Sequence, residues 1–457
     1  MSESMVIIMS AGEGKRMKSK TAKVLNKVCF RPMIDYVITA AKEVSSEKPV
    51  VIIGHKGEDI KSYLGDTVSY ALQQQQLGTG HAVMQAADLI RKENPEVTIV
   101  LNGDMPLITG KTLAQGLAFH KQHHFHATVA GATYECPDGY GRLVIENGIL
   151  EKIVEHKDAD QSQRAIKQIN SGIYFFDTKM LLDALSRLTN QNAQGEYYLT
   201  DTIEAIKSAG GKTGAFLVED QNEVFGCNNR MELAHADLLM RRRINNTFME
   251  QGVTIIDPNT TYIQDSVSIG QDTTIYPSTM LEGETVIGES CLIYPGCHIK
   301  NCRIGNNVSI QSSTLMDSQV GNDTTVGPYA YVRPMSSIGN HVKVGDFVEI
   351  KKSTIGDGTK ISHLTYVGDS KVGKNVNFGC GTVTVNYDGK NKYLTEIEDD
   401  AFIGCNTNLV SPVKVGKGAF IAAGSTITDP VPENGFAIAR QRQVNKENWI
   451  KPKDKTK

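Results

Sequence analysis

Aromatic residues are scarce in this chain of 457 residues, at 7% with one Trp. So thin a supply argues against a surface that stacks nucleic-acid bases. An excess of either charge is missing too: the net charge of -3 gives no general pull toward nucleic acid or membrane, so any anion must be held locally. No apolar run approaches the length of a membrane span. The apolar stretch 5–9 is too short for a secretory signal and lacks a basic flank. The eight cysteines (29, 136, 227, 291, 297, 302, 380 and 405) contain no CxxC pair, which reads as reduced thiols rather than a disulfide framework or zinc site. The expectation is a soluble, cytoplasmic protein without a nucleic-acid or membrane partner.

What is present falls into two grammars. Up to residue 227, short apolar runs (6–9, 50–53, 98–101) alternate with amphipathic segments such as "RPMIDYVITAAKEV", with Pro32 in the first helical position, and "GHAVMQAADLI". Strand–helix alternation predicts an α/β domain with a largely parallel, Rossmann-like sheet, whose ligands sit beyond the carboxyl ends of the strands. Residues 228–252 read as one connecting helix, with Arg241, Arg242 and Arg243 as a solvated face. From 253 to 457, aliphatic residues recur every six positions: 269, 275, 281, 287, 293 and 299, then, after one-residue slips, 304 to 310, 320 to 350 and 355 to 378. A period of six fits a triangular parallel β-helix, in which each hexapeptide forms one face and the aliphatic side chain points to the axis. The pattern lapses over 379–401, where "NYDGKNK" reads as a loop leaving the solenoid, and resumes at Ile403.

The stretch "MSAGEGKRMKSKTAKVL" (9–25) follows the first strand. It lacks the third glycine of a dinucleotide fingerprint and the GxxxxGK of a P-loop. A glycine turn carrying Lys15, Arg16 and Lys23 remains, able to cradle a triphosphate through backbone N–H groups. A solvated basic loop is the alternative.

"AGEGKRM" followed by Lys23 resembles the signature of sugar-phosphate nucleotidyltransferases. With "LQQQQLGTGHA", "LNGDMPLI", "GYGR", "IVEHKDA", "INSG", "GEYYLTD", "NNR" and the hexapeptide repeat, the chain resembles one bacterial family over nearly its whole length. That family is bifunctional, with N-acetylglucosamine-1-phosphate uridylyltransferase and glucosamine-1-phosphate N-acetyltransferase activities. The resemblance implies a nucleotidyltransferase domain and a left-handed β-helix acetyltransferase domain, with UTP and acetyl-CoA as co-substrates, Mg²⁺, a homotrimer and a role in cell-envelope precursor synthesis. It implies nucleotide and sugar contacts at Met9, Ser10, Ala11, Gly12, Gly14, Lys23, Gln73, Gly78, Thr79, Gly141, Glu155, Asn170 and Asn228, with Tyr198 facing the sugar. Asp104 and Asn228 would ligate the metal, as Mg²⁺ needs few protein oxygens beside those of phosphate. Arg16 and Lys23 would stabilise the transferring phosphates.

In the second half, Arg333 and Lys351 are eighteen residues, or one coil, apart, a spacing that predicts a cationic pair suited to a sugar phosphate. His363 is the candidate base for removing a proton from an amino sugar. The resemblance adds Glu349 as its orienting partner, and Tyr366, Asn377 and Lys392 around the sugar phosphate. Acetyl-CoA would lie along Cys380, Asn386, Tyr387, Cys405, Ala423 and Arg440, with a covalent acetyl-cysteine as the weaker alternative. Against the family pattern, Lys15 replaces Thr, Ala22 replaces Pro, Met9-Ser10 replace Leu-Ala, and Cys405 replaces a common Ser. Ala22 is expected to loosen the aim of Lys23. Two other readings compete: a single-activity nucleotidyltransferase with a regulatory β-helix, and a non-catalytic assembly subunit.

Overall fold

The computed structural model describes residues 3–449 apart from 147, 193 and 448; the lysine-rich tail 451–457 lies outside them. Contacts divide the chain into two compact units, Met1–Met240 and Arg241–Lys457. The division falls within the helix Arg230–Glu250.

The first unit is a nine-stranded sheet whose main path runs Thr213–Leu217, Ala127–Thr133, Gln168–Asp177, Val97–Asn102, Ser4–Met9, Val50–Ile53, Ser69–Leu72. The strand Ser4–Met9 pairs in parallel with Val50–Ile53 and Val97–Asn102. Its alternate residues enter the two cores on opposite faces, Val6 and Ile8 in one, Met5 and Ile7 in the other, as a strand period of two requires. The main path is largely parallel, as the strand–helix alternation implies, with Gln168–Asp177 alone running antiparallel to both of its neighbours. The ribbon Arg142–Glu146 with Ile149–Val154 returns the chain between Ala127–Thr133 and this strand, and apolar runs do not reveal strand direction. Two helix expectations shift locally. Pro32 is the N-cap, one residue before the helix Met33–Val44. The segment 80–90 breaks into helices Thr79–Met84 and Ala87–Glu93.

The second unit is a left-handed parallel β-helix of three faces, with eleven, ten and nine strands. The aliphatic residues of the six-period are buried, among them Ile275, Ile293, Val332, Ile350, Ile361 and Ile403. A loop does leave the solenoid between residues 386 and 394, and the coils continue on either side of it. Val383–Val385 and Thr395–Ile397 continue two faces, with Thr384 buried in an inward position, a polar residue that hid the period. Thr384 Oγ1 accepts a 2.8 Å bond from Gly368 N, which satisfies it there. Arg241 is buried, against the expected solvated face, and its guanidinium lies 4.3 Å from the centre of the Tyr262 ring. Arg242 is exposed.

Candidate active sites

In the first unit the chain leaves Ser4–Met9 at its carboxyl end and turns through Gly14, at φ 61. A Cβ on Gly14 would stand 2.8 Å from Lys23 Cβ, so glycine there both permits the left-handed turn and lets Lys23 fold back against it. Lys23 Nζ donates to Asp104 Oδ2 and, at 2.8 Å, to Asn228 Oδ1. Arg16 Nη2 donates to the same Asn228 oxygen at 3.0 Å. Asp104 follows the end of Val97–Asn102, and its backbone carbonyl accepts from Cys227 N at 2.9 Å, which brings Asn228 to it. Ala22 does not loosen this arrangement. It is buried with φ -52, close to the angle a proline would impose, while two side chains hold the Lys23 ammonium. Lys15 turns outward onto Glu13 at 2.5 Å.

A cleft of about 320 Å³ adjoins this cluster. Met9, Ser10, Ala11, Gly12, Gln73 and Gly78 line it, as do Thr79 and Asp104. The Ser10 hydroxyl is buried without a protein partner, so a polar ligand group in the cleft would satisfy it. Gly78 has φ 112, and a Cβ on it would collide with Tyr197 O at 2.5 Å; only glycine allows that approach. Gln73 is buried, and its amide nitrogen lies 3.1 Å from Gly78 O and 3.1 Å from His81 Nδ1. His81, to which the sequence reading gave no role, thus fixes the amide that faces the cleft. Its signal was its presence in the "LGTGHA" motif. The Thr79 hydroxyl accepts from Leu199 N at 3.0 Å and so ties the cleft wall to "GEYYLTD".

Gly141, Glu155 and Asn170 come together: a Cβ on Gly141 would lie 3.5 Å from both Asn170 Cβ and Glu155 Oε1. The Asn170 side chain donates to Tyr174 Oη at 2.9 Å and accepts from Gly172 N at 2.9 Å, so it also braces its own strand. The Tyr198 hydroxyl accepts from Gln194 Nε2 at 2.7 Å. Burial, with Asp158 and Asp201 nearby, pushes the Glu155 carboxyl up. Burial, then Glu204 and Asp158, raise Asp201 to about 6. A carboxyl whose folded value is raised contributes stability below its unfolded value and loses it as pH rises through about 6. Asp201→Asn therefore raises the melting temperature at pH 7.5 by about 2–4 °C, after discounting for solvent screening and for the helix start that favours the charge. The gain shrinks toward zero by about pH 4; thermal melts across this range check it.

In the second unit His363 and its neighbours stack along one corner. His363 Nδ1 lies 2.7 Å from Asp346 Oδ1, one coil away. The His363 hydrogen bond holds the Asp346 carboxyl below its usual range. Glu349 does not orient His363; it accepts from Arg333 Nη1 at 2.8 Å. Asp346 was missed because its coil carries a slip, giving a spacing of seventeen rather than eighteen. Arg333 does stack over Lys351, since Arg333 N donates to Ile350 O at 2.8 Å. Lys392, then burial and Arg333, depress the Lys351 ammonium below its usual range, a crowd of like charge that an anion would relieve. Tyr366 is paired with Glu349 on that same face. Asn377 lies on the adjoining face, between Lys360 and Phe402, and is not part of the cationic cluster within one chain.

The coil of Cys380 follows directly on the His363 corner, with Gly381 N donating to Leu364 O at 2.9 Å. The next coils continue the line: Asn406 N bonds Cys380 O at 2.7 Å and Gly424 N bonds Cys405 O at 2.8 Å. A Cβ on Gly424 would lie 3.7 Å from Arg440 Cδ. Cys380, Cys405 and Ala423 thus form one ladder running from His363, with Arg440 one position over, opposite Gly424. Asn386 and Tyr387 do not join it. Asn386 is buried and donates to Asp369 at 2.5 Å, and the Tyr387 hydroxyl donates to Gly389 O at 2.6 Å. They stand at the far edge of the same face, in the looped segment that carries Lys392. Asp369, also unassigned by sequence, holds that loop and lies 3.7 Å from Lys352 Nζ.

Comparison with known proteins agrees with this division. Residues 5–226 match the nucleotidyl transferase family, and 284–316 and 394–429 match the bacterial transferase hexapeptide family. The chain is 54% identical to the bifunctional protein GlmU of a Geobacillus species, with 97% of each chain covered. It is 54% identical to that of Acetivibrio thermocellus, covering 98% of this chain and 97% of the relative, and 49% identical to that of Halalkalibacterium halodurans, covering 99% and 100%. No helix among the described residues is long and apolar enough to cross a membrane. With a nucleotidyl transferase site on one unit and a hexapeptide transferase site on the other, the chain belongs to the GlmU family of bifunctional enzymes.

Proposed function

We propose that residues 253–457 acetylate glucosamine-1-phosphate from acetyl-CoA, and that residues 1–227, with Asn228 from the connecting segment, then uridylylate the product from UTP. The arrangement that supports this best is the corner ladder. His363, held by Asp346 at 2.7 Å, stands at the head of a line of small residues along which a pantetheine arm can lie close to the backbone. Arg333, Lys351 and Lys392 hold the sugar phosphate. His363 takes the proton from the sugar ammonium, the freed amine attacks the thioester carbonyl, and the C–S bond breaks as the CoA thiolate leaves with the proton shed by the new amide nitrogen. Neither Cys380 nor Cys405 needs an acetyl intermediate in this route.

In the first unit, Gln73, Gly78 and the 9–14 loop hold the nucleotide, while Gly141, Glu155, Asn170 and Tyr198 face the acetylated sugar. The sugar phosphate attacks the α-phosphorus in line, pyrophosphate leaves, and Arg16 and Lys23 neutralise the moving charge. Asp104 and Asn228 suit Mg²⁺: two hard oxygens already converge on one cation, the Lys23 ammonium. When bound, the ion would neutralise phosphate charge.

A homotrimer completes the second site. The corner beside His363 carries Tyr329, Phe347 and Leu364, exposed by 63%, 58% and 59%, an apolar ladder suited to another copy of the chain. A neighbouring copy also supplies a route for Asn377 to reach the cationic face. The free thiols and the soluble substrates support a cytoplasmic location.

Two assays test the reading. With Mg²⁺, UTP and N-acetylglucosamine-1-phosphate, pyrophosphate is released, and chelation stops it. With acetyl-CoA and glucosamine-1-phosphate, free thiol appears and is indifferent to chelation. Absence of thiol release would sink the bifunctional reading and leave a single-activity nucleotidyltransferase.

A further inference from the structure

The corner ladder holds two thiols for which the transfer chemistry has no use. Cys380 and Cys405 are both exposed. Gly379 N donates to Ile403 O and Asn406 N to Cys380 O, each at 2.7 Å, the bonds that flank two directly opposed residues in a parallel ladder. Neighbouring coils lie about 4.8 Å apart, inside the Cα separation of about 4.4–6.8 Å that a disulfide spans. Cys29, Cys227, Cys291, Cys297 and Cys302 are buried, and the remaining exposed thiol, Cys136, lies on the other unit. Cys291, Cys297 and Cys302 face threonine, serine or valine on the adjoining coils.

We propose that Cys380 and Cys405 form a dithiol modification site, oxidised to a disulfide by hydroperoxides, and that its closure shuts the acyl-CoA groove. One thiolate attacks the peroxide, so an S–O bond forms, the O–O bond breaks, and the departing oxygen takes a proton to become water. The second sulfur then attacks the first: the S–S bond forms, the S–O bond breaks, and hydroxide leaves with the second proton as another water. Two thiols lose two electrons and two protons, and one hydrogen peroxide is reduced to two waters. The bond joins two coils where the pantetheine arm must approach the backbone, and any small dithiol reverses it by exchange. The gating rests on the reading of this corner as the acetyl-CoA groove; the dithiol itself does not.

The full chain, reduced and desalted, is treated with stoichiometric hydrogen peroxide and digested without reductant. A linked Cys380–Cys405 peptide, lighter by two hydrogens, is expected. Acetyl transfer falls about tenfold, the loss that a modest block of binding produces, while uridylyl transfer holds and dithiothreitol restores the former. Cys380→Ala and Cys405→Ser, each scored against its own reduced activity, keep acetyl transfer after the same treatment. No linked peptide, or equal inactivation of Cys405→Ser, overturns the proposal. A linked peptide with undiminished acetyl transfer overturns the gating and leaves the two-transfer reading intact. If the reduced chain shows no acetyl transfer at all, that earlier reading fails instead, and the peptide still scores the dithiol.

Discussion

Asp104→Asn lowers uridylyl transfer by about 10³, the scale of losing a preorganised charge partner in a transfer site, and leaves acetyl transfer at its original rate. The substitution keeps the side-chain shape and removes the charge. The backbone carbonyl of residue 104 still accepts from Cys227 N, so the 226–228 loop stays in place and thermal melts change little. What is lost is the negative charge that partners the Lys23 ammonium. Pyrophosphate release measures the first activity and thiol release the second. A parallel fall in both, in protein that melts normally, would contradict two independent sites.

His363→Ala produces the converse. Thiol release drops by about 10³, within the range expected for losing a general base, and pyrophosphate release is unchanged. The side chain is 59% exposed and, among the described residues, bonds Asp346 alone, so its removal costs the fold little. Two companion variants separate base from scaffold. Asp346→Asn frees the imidazole to turn and lowers kcat about tenfold, while the KM for acetyl-CoA stays put. Glu349→Gln leaves kcat near its original value and raises the KM for glucosamine-1-phosphate, because Glu349 bonds Arg333 and not His363. If Glu349→Gln instead reproduced the Asp346→Asn effect, the assignment of Asp346 as the orienting carboxylate would fall.

The Ala22 position shows how local and tertiary information divide. A missing proline suggested slack in Lys23, because proline would have fixed one dihedral. The folded chain sets that dihedral at -52° anyway, and Asp104 and Asn228, 81 and 205 residues away, hold the ammonium. Long-range partners took over a task that sequence comparison credits to a local constraint.

The six-residue period, the glycine turn after the first strand and the strand-end Asp104 were legible in the sequence because each is a local pattern with a local cause. A hexapeptide must turn an aliphatic side chain to the axis, and the buried series from Ile275 to Ile421 follows it. The three-sided solenoid was therefore determined by sequence alone. The direction of Gln168–Asp177, the pairing of Asp346 with His363 and the displacement of Asn386 from the corner were not. Each depends on which distant residues are brought opposite, and one-residue slips between coils change that register without altering the period. The opposed thiols of Cys380 and Cys405, 25 positions apart because a loop is inserted between their coils, were decided by the tertiary structure for the same reason.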